Sequence, residues 1–407
     1  MEFGSQVTLR RIHRMYNNLV KFSCPFCGGD SQEVLYKYET YAGPVLGETS
    51  VTLVMCQSCT FVYNSPRPSL LEINNHYKES SSGAVFHESH GGSRHSKLDA
   101  ERSAFIEKHS SVFAKGKFID VGCGQGSLLR KLNLPNLRKF GLDPIQDPAD
   151  NIDDSVSFIN GFIETYDVAG SEQYEVLSCI SSLEHYYNPD LVLAKFKSML
   201  AYGGILLLEI PDSLSPKSQL AEFFSFEHLS HFTEPSLTRM LNLNGFEVIE
   251  FDRNVSIPNL RVAAKRVETC SYKEADHSER SLLKDTFKKY VSEKEKIISG
   301  MGAMLHPLII ECKLHNRSVL VYGAGDHSVH LFAHFQIEDH VANYIDSDPK
   351  KWGTMFRGKL VLEPSAIGDI SDSTIVISSH DYENEILDTI NRYNRNSLPV
   401  ICLYNRR

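Results

Sequence analysis

Two Cys-x-x-Cys pairs, Cys24 with Cys27 and Cys56 with Cys59, carry the strongest chemical signal in the chain. Each pair makes a knuckle, and four thiolates drawn from two knuckles suit a closed tetrahedral Zn2+ site, which contributes folding free energy and leaves no open coordination position. A redox dithiol and a nucleic-acid-binding ribbon are the other uses of this spacing. A second cluster, Phe223-Phe224-Ser225-Phe226-Glu227-His228-Leu229-Ser230-His231-Phe232, sets a carboxylate and two imidazoles among aromatic rings. A carboxylate beside an imidazole fixes its tautomer and raises its basicity, so His228 oriented by Glu227 is a candidate general base. His185 stands just past an apolar strand pattern, and Tyr77 at the mouth of a Ser-, Gly- and His-rich stretch is an aromatic able to reach a bound molecule.

The third constellation is Asp120-Val121-Gly122-Cys123-Gly124-Gln125-Gly126-Ser127, an acid and three alternating glycines between an apolar run and a helical pattern. This reads as strand, tight turn and helix. Glycine lets the backbone turn sharply and approach a ligand, while the helix start presents unpaired N–H groups to an anion such as the carboxylate of an amino-acid-like cofactor. Gly126 sits one position early for the dinucleotide fingerprint. Asp143 ends the next apolar run and is placed to hydrogen-bond two ribose hydroxyls.

These groups need elements to hold them. Residues 33–38 and 51–55 read as strands between and beside the cysteine knuckles. Residues 66–96, with Pro-Arg-Pro, a serine run and His87, His90 and His95, read as a loop serving as a solvated segment, a substrate lid or a second metal site. Residues 97–113 have helical apolar spacing, and from residue 118 strands and helices alternate through 212, which predicts a largely parallel sheet with helices on both faces. Residues 233–243 read as a helix and 245–249 as the closing strand. A charged helical stretch then leads to a second strand–glycine turn–helix, Gly323-Ala324-Gly325, followed by Asp346. That turn lacks a third glycine, which weighs against a nicotinamide cofactor there and favours a substrate wall or a dimerisation module. The resulting fold class is α/β, with domains at 1–75, 76–260, 261–315 (a helical linker) and 316–407.

Composition limits the function. With 407 residues there is room for two or three hydrophobic cores. A net charge of −9 argues against a phosphate-backbone-binding surface and favours a small-molecule substrate. Nine cysteines in so long a chain do not suggest a disulfide scaffold. No run approaches the roughly 18 apolar residues of a membrane span and no signal pattern opens the chain, so a cytoplasmic protein without membrane or nucleic-acid partners, monomer or homodimer, is expected.

The glycine turn with Asp120 and Asp143 resembles the first two motifs of class I S-adenosylmethionine (SAM)-dependent methyltransferases. The order of parts resembles the sugar C-methyltransferase family over nearly the whole chain: cysteine ribbon, SAM domain, helical linker and C-terminal Rossmann-like domain. The resemblance implies SAM as cofactor, with Asp120, Gly122, Gly124, Gly126 and Asp143 binding it and Phe162 or Ile163 flanking the adenine. It implies a nucleotide-linked keto-sugar, methylated on the carbon beside the ketone. His228 and Glu227 match the family's Glu-His segment, and His185 and Tyr77 would donate to the enolate; Ser225 stands where the family has a tyrosine. An O- or N-methyltransferase of a sugar, glycan or natural-product precursor, and a non-catalytic zinc-containing scaffold, are the alternatives.

Overall fold

The structure is a computed structural model and describes residues 19–41, 46, 48–82, 93–144, 155–168, 173–253, 255–271, 274–380 and 382–404. It divides into two compact units, one holding the described residues up to Pro216 together with Phe224–Phe287, the other Lys217–Phe223 and Lys288–Arg407.

In the first unit β1 (Gln32–Tyr41), β2 (Glu48–Cys56) and β3 (Val62–Asn64) form an antiparallel sheet beside the cysteine knuckles. Helices α1 (Leu70–Ser82) and α2 (Ser93–Ser110) follow. Helix α1 replaces the first part of the loop expected over 66–96, of which residues 83–92 lie outside the described residues; its Ser69 hydroxyl and amide both hydrogen-bond Glu72 at 2.8 Å, a local start signal inside a polar sequence. His87 and His90 lie outside the described residues.

The main sheet contains β4 (Gly116–Val121), β5 (Leu137–Asp143), β6 (Val156–Asn160), β7 (Tyr174–Ile180) and β8 (Leu200–Pro211), with α3 (Ser127–Lys131) and α4 (Pro189–Met199) between strands. Asn188 caps α4 by accepting from the Leu191 amide, and Pro189 starts it. After β8 come β9 (Ser230–His231), α5 (Glu234–Leu243), β10 (Phe246–Asp252) and β11 (Asn259–Arg266). Strand order is β10-β11-β8-β7-β4-β5-β6, parallel from β8 through β6, with β11 antiparallel to both its neighbours. Leu206, Leu207 and Leu208 are all buried because helices cover both faces of a central parallel strand. The chain leaves β4 toward β6 and returns at β7, so the crevice at the carboxyl ends of β4 and β7 is the topological switch point.

Two expected boundaries move. The cysteine-bearing sheet is not a separate unit, because β9, from far along the chain, pairs with β3 and completes it. The linker expected from residue 261 begins as β11, a strand whose Arg261 is buried. Its side chain meets Glu209 at 2.7 Å and Asp252 at 3.1 Å, while Arg102 holds the other face of Glu209 at 2.5 Å. Burial works against ionising Glu209, but the two guanidinium groups outweigh it and hold the carboxyl below its ordinary range.

The second unit takes up most of α6 (His277–His315), then β12 (Ser318–Tyr322), α7 (Asp326–His334), β13 (Val341–Ile345), β14 (Met355–Phe356), β15 (Lys359–Leu362), β16 (Ser373–Ile377), α8 (Glu383–Tyr393) and β17 (Val400–Cys402). Its sheet runs β14-β15-β13-β12-β16-β17, parallel except for β14 against β15. Contrary to the hydropathy expectation, α6 contains an 18-residue window of mean hydropathy 1.3, long and apolar enough to cross a membrane. Met301, Leu305, Leu308 and Cys312 from that helix are buried in one cluster with Val319 and Val321 of β12.

Replacing Arg261 by Met should leave a buried carboxylate short of a partner and lower the unfolding free energy by about 3 kcal/mol or more. Urea denaturation measures this, and an unchanged midpoint would show that Arg102 alone neutralises Glu209.

Candidate active site

The glycine turn follows β4 directly, and its three glycines have different tasks. Gly122, Gly124 and Gly126 take φ of 78°, 53° and 75°, a region L side chains rarely adopt. A Cβ on Gly122 would lie 2.3 Å from Ser182 Oγ and one on Gly126 2.5 Å from the Phe158 ring, so both are needed for close packing. A Cβ on Gly124 would meet nothing within 4 Å, which makes it the glycine that leaves room above the turn. Asp143, at the tip of β5, accepts the Gly124 amide on Oδ2 at 2.8 Å and so pins the turn from below.

Asp120 is a buried strut rather than a lining group. It is in register with Ser178 of β7, whose hydroxyl donates to it at 2.5 Å. Burial pushes its carboxyl up to about 7 against the opposing effect of that hydrogen bond. Phe162 is half-buried with Lys78 Nζ 5.7 Å from its ring centroid, whereas Ile163 is 1% exposed within the hydrophobic core, which corrects its expected place against an adenine.

Next to the glycine turn, a 3-10 turn at Leu183–His185 follows β7 and presents Glu184 and His185. Tyr77, on α1, lies 2.9 Å from His185 Nδ1 through its hydroxyl. The rings of His185 and His228 meet edge to face at 4.8 Å between centroids. Three of the four expected catalytic side chains thus converge. The fourth, Glu227, has its Oε1 3.1 Å from Nε2 of His76, an imidazole on α1. Glu227 and His228 are neighbours in a turn closed by the His228 amide on the Ser225 carbonyl, and successive turn residues point different ways. His231 is structural, bonded through Nε2 to Asn64 Oδ1 at 3.0 Å, while Asn64 Nδ2 donates to the His228 carbonyl at 2.9 Å.

Burial sets the protonation of the cluster. It lowers His185, and lowers His228 well below the ordinary imidazole range with help from the neighbouring His185 and His231; His231 falls to about 3. Burial also holds Tyr77 well above the usual phenol range and pushes Glu184 up to about 8. The site therefore offers neutral imidazoles with free lone pairs and a phenol that keeps its proton. His76 and Glu184 were missed in the sequence. Glu184 stands directly before His185 and could have been read with it; His76 was hidden by reading α1 as a loop.

The four cysteines also converge, with Sγ atoms 3.5 Å apart in the pairs Cys24–Cys59 and Cys27–Cys56 and all four within 4.8 Å of one another. Hydrogen bonds to the neighbouring thiols, and after them burial, hold Cys24 and Cys59 up, while Cys56, which accepts from them, is held down. Left to itself the cluster supports few thiolates, and a dication would remove that limit, so the donor set fits a metal ion.

Residues 93–251 match the family described as "Methyltransferase domain". The chain carries a class I SAM-dependent methyltransferase domain. Within it, the open space at Gly124 and the Asp143 carboxylate holding that turn leave room for a ligand at the end of β4. Residues 315–398 match a second family, described as "C2185-like, N-terminal". Among curated relatives, a "Ubiquinone biosynthesis O-methyltransferase" of Actinobacillus pleuropneumoniae serotype 7 (strain AP76) is 27% identical over 111 residues, 25% of this chain and 47% of the relative. Its namesake from Vibrio atlanticus (strain LGP32) is 27% identical over 106 residues, 24% of this chain and 44% of the relative. The chain thus spans about half the length of the curated relatives it matches. Among solved structures, the 1,6-didemethyltoxoflavin-N1-methyltransferase of Burkholderia thailandensis, bound to S-adenosylhomocysteine, aligns with TM-score 0.40 at 17% identity, covering 51% of this chain and 96% of that one.

Two outcomes test this geometry. Gly124→Ala of the methyltransferase domain should fold and bind SAM at least about 10-fold more weakly by calorimetry, whereas Gly122→Ala should lose stability as well, because its methyl has nowhere to go. Between pH 3.8 and about 7 the folded protein keeps the Asp120 proton that the unfolded chain releases, so this group should make stability fall as pH rises through that window and level off above it. Asp120→Asn should remove that slope in pH-dependent denaturation; an identical slope would place the proton elsewhere.

Proposed function

We propose that the protein transfers the SAM methyl group to a small molecule, a nucleotide-linked keto-sugar methylated on the carbon beside its ketone. The observation that carries this reading is the meeting of Tyr77, His185 and His228 at the switch point, beside the glycine turn. Carbon methylation needs a base for an unactivated C–H and a donor for the enolate oxygen that results.

His228 supplies a neutral imidazole whose lone pair takes the proton from the carbon. Tyr77 supplies the donor: with His185 Nδ1–H given to the Tyr77 oxygen, the phenol proton is free to turn to the enolate. SAM, when bound, supplies an electrophilic sulfonium methyl. Tyr77, His185 and His228 are half-buried, and the lowered local dielectric strengthens each polar contact. Glu227 and His76 support the base from behind by fixing the turn that carries it. Asp143, beneath Gly124, is the proposed ribose partner, and Phe162 the proposed adenine partner.

The four cysteines are proposed to hold a structural Zn2+, making the β1–β3 sheet a zinc ribbon, and the second unit to be the family's C-terminal Rossmann-like domain. An oxygen acceptor is the second reading, favoured by Ser225 in place of the family's tyrosine and by the O-methyltransferase names of the curated relatives.

Labelled SAM incubated with a panel of nucleotide keto-sugars and hydroxylated analogues, followed by mass spectrometry, tests the reading. His228→Ala should lower turnover by at least about 1000-fold while leaving SAM affinity within about 3-fold, the scale expected for loss of a general base. Retained turnover would transfer the role to another group, and label on oxygen would decide for the second reading.

A further inference from the structure

The buried carboxylate beside the proposed base has no role in proton abstraction. Glu184 is 2% exposed, its Oε2 is buried without a hydrogen-bond partner, and its Oε1 lies 3.9 Å from His185 Nε2. One ligating atom each from Glu184, His185 and His228 lies within 4.8 Å of the other two. His185 Nε2 is the ring nitrogen that faces Glu184. The buried Glu184 Oε2, left without a hydrogen-bond partner, is costly unless something beside the two imidazoles satisfies it.

We propose that Glu184, His185 and His228 bind a divalent cation of the zinc class. Two imidazoles and one carboxylate are a borderline donor set of the kind that binds such ions with an open fourth position. Tyr77 supplies the outer contact, on Nδ1, that orients a ligating imidazole. The donors come from two braced segments. Glu184 and His185 lie on the 3-10 turn, where Ser182 Oγ donates to the Gly122 carbonyl at 3.3 Å. His228 is held through its carbonyl by Asn64. The cation takes the same His228 lone pair that proton abstraction needs, so metal binding and base catalysis exclude each other. The site does not depend on which acceptor is methylated.

The test loads metal-free full-length protein with Co2+, a coloured substitute for zinc, and counts the ions retained after desalting. The wild type should retain about two per chain, one with the thiolate-to-cobalt absorption of the cysteine cluster and one without it. Glu184→Gln should retain only the first, with SAM affinity confirming that it folds; should it not fold, His228→Gln, altered on a loop, must lose the same ion. A wild type that keeps only the thiolate-bound ion, or a folded variant that keeps both, overturns the site. Turnover separates this from the proposed function: protein free of the second ion should be the active form if His228 is the base. Activity that appears only with that ion bound would remove the base assignment and leave the metal site standing.

Discussion

The arrangement depends on a contact that only a missing side chain permits. Gly122 has no Cβ, so Ser182 can lie against the glycine turn, where any other residue would put an atom 2.3 Å from its hydroxyl. That contact brings the turn at Gly124 close to the turn carrying Glu184 and His185. Methyl transfer needs donor and acceptor in line within a few ångströms, and rate falls steeply when they are displaced by about 1 Å. A backbone-to-side-chain contact between two tight turns holds such a distance better than two long side chains would, because little conformational freedom remains in it.

The second positioning device joins segments remote in sequence. Strand β9 pairs with β3, and Asn64 holds both His231 and the His228 carbonyl, so the loop with the proposed base is tied to the sheet beside the cysteines. Arg239 of α5 reinforces this: it pairs with Glu279 at 2.7 Å and donates to the Cys59 carbonyl at 3.2 Å. A continuous run of contacts thereby joins the cysteine cluster to the site. Whatever orders the knuckles also orders β3, and through β3 the His228 loop.

The second unit repeats the first one's device with a different ending. Ala324 donates its amide to Asp346 Oδ2 at 2.9 Å, as Gly124 does to Asp143. Lys351 Nζ also lies 3.0 Å from Asp346 Oδ2, and the Asp348 amide takes Oδ1 at 2.9 Å. An acid already neutralised by an ammonium and two amides is a poor partner for ribose hydroxyls. The same strand–turn–helix pattern therefore has different chemistry in the two units, because of a lysine five residues past the acid.

Local chemistry was legible in the sequence. The thiol spacing, the glycine turn with its acids, the buried strands and the helix at 233–243 all express rules acting over a few residues, namely chain geometry, burial period and capping, and those rules hold wherever the segment lies. The sequence alone also brought Tyr77, His185 and His228 forward as candidates. Only the tertiary structure decided that Glu227 meets His76, that Asp120 is a strut for Ser178, that Ile163 is core, and that residues 259–266 form a strand around a buried Arg261. Each of these rests on a partner distant in sequence, and no local pattern reports which distant charge or hydroxyl will neutralise a buried group. Helix α1 was missed for a related reason: its sequence is polar, and its ordering shows in what His76 and Tyr77 touch across the site.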